Sequence, residues 1–199
     1  MKKLQKHTLR HLAILAFGLI ASPLAHADDL FYVGPKVGFM TQDLSCTSDC
    51  IGAAMMGGIT VGYNLLGKNA QFPMDMGGLS LALEGELANS LTDFTYTGSF
   101  GLYDISWKTK TQSLYTVFRY DFNDKFFAQA RVGRTNYKTT GETTVSGFTP
   151  IPFEYSYKEN GYGLGGGINF SSSQIRLDLT SGGSKSKLTS VAFAYMLKF

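Results

Sequence analysis

After residue 27 the chain contains no histidine, because His7, His11 and His26 all lie in the first segment. That absence excludes Ser–His and Cys–His nucleophile pairs and His-ligated metal centres from the remainder. Long apolar runs are also missing. The longest, LAILAFGLIA, has ten residues, against the ~20 that a membrane-spanning helix needs. Helical periodicity is absent too, and 23 glycines are spread along the chain. There are only two cysteines, in one segment, Cys46-Thr-Ser-Asp-Cys50. In an exported protein such a pair reads as a disulfide that pins a local loop, contributing only about 2 kcal/mol. The spacing is C-x-x-x-C and no further soft ligand accompanies it, so a metal or reactive-thiolate reading is the weaker one.

What the first 27 residues do contain is a basic, acid-free start, the short apolar run, and Ala25-His26-Ala27. These are the parts of a secretory signal peptide cleaved before Asp28, leaving residues 28–199 as one domain. The segment carries four of the 18 basic residues and none of the 15 acidic ones. The remainder therefore holds 14 basic against 15 acidic residues. It has no Lys/Arg run longer than a pair. No nucleic-acid partner is expected.

Alternation of period two fills the rest. LFYVGPKVGF sets Phe31, Val33, Pro35, Val37 and Phe39 against Tyr32, Gly34, Lys36 and Gly38. GGITVGYNL and LSLALEGEL continue with Ile59, Val61, Tyr63 and Leu65, then Leu79, Leu81, Leu83 and Leu87. SLYTVFRYDF, FFAQARVGRT, GYGLGGGINF and QIRLDLT supply four more strands, and VAFAYMLKF the eighth. Its apolar row, Val191, Phe193, Tyr195, Leu197 and Phe199, reaches the final carboxylate.

Eight amphipathic strands fit two barrels of opposite polarity, one apolar inside and one apolar outside. The minor face carries Lys36, Glu84, Glu86, Arg119, Arg131, Arg176, Asp178 and Lys198, mixed in sign and interspersed with glycine and alanine. Long charged side chains beside small residues suit a tight lumen. The expectation is therefore an all-β, eight-stranded antiparallel up-and-down transmembrane β-barrel. With the N-terminus in the periplasm, outer connections fall at 41–57, 89–111, 138–160 and 181–187. Turns at 121–125 and 171–173 are short, and the long one at 66–78 leaves room for a small periplasmic element.

FYVGPKVGF, GITVGYNL, LALEGEL, GYGLGGGINF and a last strand ending in aromatic-x-aliphatic-x-Phe together resemble the OmpA/OmpX-like outer-membrane β-barrel family over residues 30–199. The resemblance implies a porin-like cell-surface barrel in the outer membrane of a Gram-negative bacterium. It also implies insertion by the barrel-assembly machinery, which reads the C-terminal strand, and ion pairs in the lumen. Since nothing follows Phe199, the peptidoglycan-binding domain of longer members is not expected. Glu84, Glu86, Arg119 and Arg131 are placed in one lumen network, either holding the barrel shut or forming a narrow gated ion path.

Catalysis has little to stand on. Glu84 and Glu86 share a face but lie among cations, and the lipid-modifying barrels of this size rely on histidine. Gly161-Tyr-Gly163-Leu-Gly165-Gly166 matches G-x-G-x-x-G, yet it lies inside a strand instead of opening a helix. No catalytic residue, cofactor or metal is expected. A structural surface role leads, with a narrow ion or small-solute pore as one alternative. The other is an adhesin binding a host-surface ligand through the second and third loops, which hold Trp107, Phe148, Ile151, Phe153, Tyr155 and Tyr157. Those aromatics fit equally a membrane-interface belt or strand extensions above the bilayer. Lys108, Lys110, Arg134, Lys138, Lys185 and Lys187 suit lipopolysaccharide phosphates at the outer rim. A monomer surrounded by outer-membrane lipid is the expected state.

Overall fold

The computed structural model describes residues 30–44, 51–67, 71–75, 77–98, 102–183 and 187–199. The expected signal peptide (1–27), Cys46, Cys50 and Lys185 lie outside the described residues. Among the described residues ten strands form: β1 Phe31–Asp43, β2 Ile51–Gly67, β3 Phe72–Pro73, β4 Leu79–Ser90, β5 Phe94–Thr97, β6 Tyr103–Asp121, β7 Phe126–Val145, β8 Ile151–Asn169, β9 Ser173–Ser181 and β10 Leu188–Lys198. Eight close a ring in the order β1–β2–β4–β6–β7–β8–β9–β10, every neighbouring pair antiparallel. The ends of the described chain make the seam. Phe31 donates its backbone N–H to Phe199 O at 2.9 Å, and Phe199 N–H returns to Phe31 O at 2.7 Å. Closure removes the free edges that a bilayer would leave unpaired.

The two faces follow the period-two rows. Phe31, Val37, Phe39, Ile59, Val61, Leu83, Leu87, Leu114, Phe118, Leu164, Leu177 and Phe193 are all exposed on the outside. Five alternate apolar positions, as on β1, span about 27 Å of strand, or roughly 21 Å across a bilayer at ~40° tilt. That is close to the ~25 Å band of a membrane barrel. Above it the outward rows turn polar at Asn89, Gln112, Arg134, Asn160 and Ser181.

Three connections are shorter than expected. β1 and β2 reach Asp43 and Ile51, β7 and β8 reach Val145 and Ile151, and 89–111 contains β5 and the start of β6. The Thr-rich KTTGETTV and aromatic IPFEYSYK segments alternate and pair in register, Tyr137 with Tyr157 and Thr139 with Tyr155. β-branched and aromatic cross-strand pairs favour continued strand over loop. The result is lopsided. β6, β7 and β8 have 19, 20 and 19 residues, while β9 and β10 have 9 and 11. One side of the barrel thus rises as a tall wall, turning over at 146–150 where Gly147 takes φ 82°. In the long turn at 66–78, the two-residue β3 pairs in parallel with the end of β2, Phe72 beside Leu66.

Candidate functional site: a lumen filled in three storeys

At mid-height the inward rows of β1, β4, β7 and β9, alternate strands of the ring, deliver Lys36, Glu84, Glu86, Arg131, Arg176 and Asp178. All six are buried. Lys36 Nζ lies 2.8 Å from Glu86. Arg131 reaches Glu86 at 3.2 Å and both Glu84 and Asp178 at 3.6 Å. Arg176 grips Glu84 with both terminal nitrogens, Nη2 at 3.1 Å from Oε2, and sets its Nε 2.9 Å from Asp178. Tyr32 Oη donates to Glu84 at 2.7 Å and Gln129 Nε2 to Asp178 at 3.0 Å. Three cations meet three carboxylates, so the cluster is neutral. Because β4 and β9 face one another across the ring, its bonds cross the lumen. Separate buried charges would be costly, and mutual pairing is what allows six of them here.

The storey above is apolar. Met40, Met56, Phe94, Trp107, Tyr137 and Leu188 form a buried cluster. Trp107, expected on a surface loop, is 1 % exposed. Its ring stacks on Phe94 at 5.3 Å, and its Nε1 donates to Gln42 at 3.1 Å. Thr109 donates to the same Gln42 oxygen at 2.6 Å, and Gln42 donates to Thr139 at 3.3 Å. β5 brings Phe94 inward, and Gly52 opposite leaves the space, since a β-carbon there would sit 2.7 Å from the indole.

Below the ionic cluster the lumen widens into a vestibule of about 1010 Å3 at the short-turn end, lined in part by Tyr32, Asp121, Asn169 and Gln174. Arg119, expected beside Glu84 and Glu86, sits here instead. It donates to Asp121 at 2.8 Å, Asn169 at 2.7 Å and Gln174 at 2.6 Å, with its guanidinium 3.7 Å from the Phe127 ring centre. Four residues on from Tyr115, it belongs to a lower level of the same inward row. Lys198 likewise lies at the vestibule rim, donating to Phe170 O at 3.3 Å. Alternation places Tyr32 and Gln129 on the inward face but does not mark them as partners of the central carboxylates.

On the outer face Lys108 pairs with Asp93, Lys138 with Glu154 and Lys187 with Asp43. Val191, Phe193, Tyr195 and Leu197 face outward, and Phe199 is half-buried at the seam. Among the described residues no cluster of three or more acidic or sulfur ligands is arranged to hold a metal ion.

The family model for the outer membrane protein beta-barrel domain matches residues 12–192. Among solved structures, Neisserial surface protein A is similar at 11 % identity and TM-score 0.50, covering 85 % of this chain and 97 % of that one. The transport unit of the autotransporter AIDA-I from Escherichia coli aligns at 9 % identity and TM-score 0.51, covering 91 % and 94 %. The attachment invasion locus protein Ail of Yersinia pestis aligns at 12 % and 0.45, covering 84 % and 96 %. No curated protein sequence matches the chain.

Proposed function

The chain belongs to the outer membrane protein beta-barrel family, and from that premise we propose that it is a closed, non-enzymatic structural barrel of the outer-membrane surface. The observation that carries this reading is the neutral six-charge cluster crossing the lumen beneath a packed aromatic storey. An aqueous path would have to part both. The narrow-pore alternative needs a route past Arg131 and Trp107 together. Proteoliposome swelling tests the reading. Vesicles holding the protein should admit small sugars no faster than protein-free vesicles, and faster swelling overturns closure.

The tall wall favours a second reading, an adhesive surface, because Phe148, Ile151 and Tyr155 are exposed near its tip. Shortening residues 146–150 while the barrel stays folded separates the two. Loss of host-cell or matrix binding supports adhesion, and unchanged binding removes it. The remaining features fit the same setting. The Cys46–Cys50 bridge would pin the β1–β2 connection, the row Val191, Phe193, Tyr195, Leu197 and Phe199 would serve the barrel-assembly machinery, and lipopolysaccharide would surround a monomer.

A further inference from the structure

One glycine of the lipid-facing wall has no steric reason to be there. The outward row of β4 reads Leu79, Leu81, Leu83, Gly85, Leu87. At Gly34 or Gly133 a β-carbon would lie within about 2 Å of neighbouring backbone, whereas at Gly85 it would touch nothing within 4 Å. Glycine inside a strand weakens it and often marks the close approach of something else. Gly85 is paired with Val61 on β2 and Leu114 on β6. The missing side chain deepens a surface groove of about 700 Å3, lined in part by Ile59, Val61, Leu87 and Leu114 and reaching Arg134 and Lys158.

Those two cations differ from the paired lysines of the outer face. Lys108 and Lys138 each hold a carboxylate. Arg134 stands between Leu114 and Asn160, and Lys158 is opposite Asn136, so the cross-strand neighbours carry no negative charge. Both are exposed, and neither forms an ion pair among the described residues. They sit just where the apolar rows give way to polar ones. An acyl-sized apolar trough leading up to two uncompensated cations matches one kind of occupant, a lipid whose headgroup carries phosphate. We propose that this groove holds one lipid A unit of the outer leaflet, with an acyl chain over Gly85 and a phosphate between Arg134 and Lys158. The proposal rests on the reading that the tall wall faces the cell exterior.

The full chain, folded in zwitterionic micelles, is titrated with lipid A, and bound lipid is counted by native mass spectrometry. The wild type should retain one lipid A in preference to dephosphorylated lipid A, phosphatidylglycerol or inorganic pyrophosphate. Replacing Arg134 and Lys158 together by Ala should weaken binding roughly 25-fold, at about fivefold per surface cation, and flatten its salt dependence. Gly85→Leu should weaken binding while leaving the salt dependence intact, and Lys108→Ala should change neither. Heat-modified gel mobility verifies folding, and Gly85→Val replaces Gly85→Leu if the latter fails to fold. Unchanged binding in both groove variants overturns the site. So does pyrophosphate or phosphatidylglycerol binding as tightly as lipid A. Surface proteolysis of the tall wall in intact cells tests orientation separately. Protection there, with lipid A binding intact in micelles, would remove the outward placement of the wall and with it the outer-leaflet assignment.

Discussion

At mid-height the lumen is closed by six charged side chains from four alternate strands, whereas one storey higher Met40, Met56, Phe94 and Trp107 close it with apolar volume. Both levels are buried, but they depend on their neighbours differently. In the ionic storey every group is there on condition that its partners are present, because a lone charge in that interior is far more costly than a pair is favourable. In the aromatic storey the contacts are many and individually small, so loss scales with the volume and hydrogen bonds removed. The lower storey shares neither property. Arg119 and Asp121 are only partly buried on the vestibule wall, nearer to water than the six central groups.

This contrast ranks the consequences of substitution. Glu84→Ala should be the most damaging, since it leaves Arg176 with Asp178 as its one carboxylate and takes a partner from Arg131 and Tyr32. A loss of about 3–5 kcal/mol is expected, read from the denaturant midpoint of refolded barrels. Removing Arg176 as well, as Glu84→Leu with Arg176→Met, should recover much of that loss, and a double variant no better than the single one contradicts the pairing account. Trp107→Phe keeps most of the ring volume but leaves Gln42 short of a donor. It should cost about 1–3 kcal/mol, with no second-site change that merely removes a charge able to restore it. Arg119→Ala should shift the midpoint by about 1–2 kcal/mol, and a shift matching that of Glu84→Ala would erase the difference between the storeys.

Much of this was legible in the sequence because a barrel has a single repeating instruction. Outward leucine and phenylalanine alternate with inward lysine, glutamate and arginine, and each strand repeats the pattern, so the faces of Lys36, Glu84, Arg131 and Arg176 could be assigned without knowing the register. Height was not legible. Alternation tells which wall a side chain faces but not which level it meets, so it does not separate Arg119 from Glu86 although they lie in different storeys. The tall wall escaped for a related reason. Threonine, glycine and tyrosine in 138–160 have a composition common to loops and exposed strands, and only the pairing of Tyr137 with Tyr157 distinguishes them. The burial of Trp107 is not legible either, because it depends on β5, a four-residue strand, turning Phe94 inward to meet it.

The central claim is that the lumen is sealed twice, and single-channel recording in planar bilayers tests it most directly. The account predicts that purified, folded protein yields no discrete current steps above a protein-free bilayer at any applied voltage the membrane tolerates. Stable, reproducible steps from the wild-type chain would contradict it.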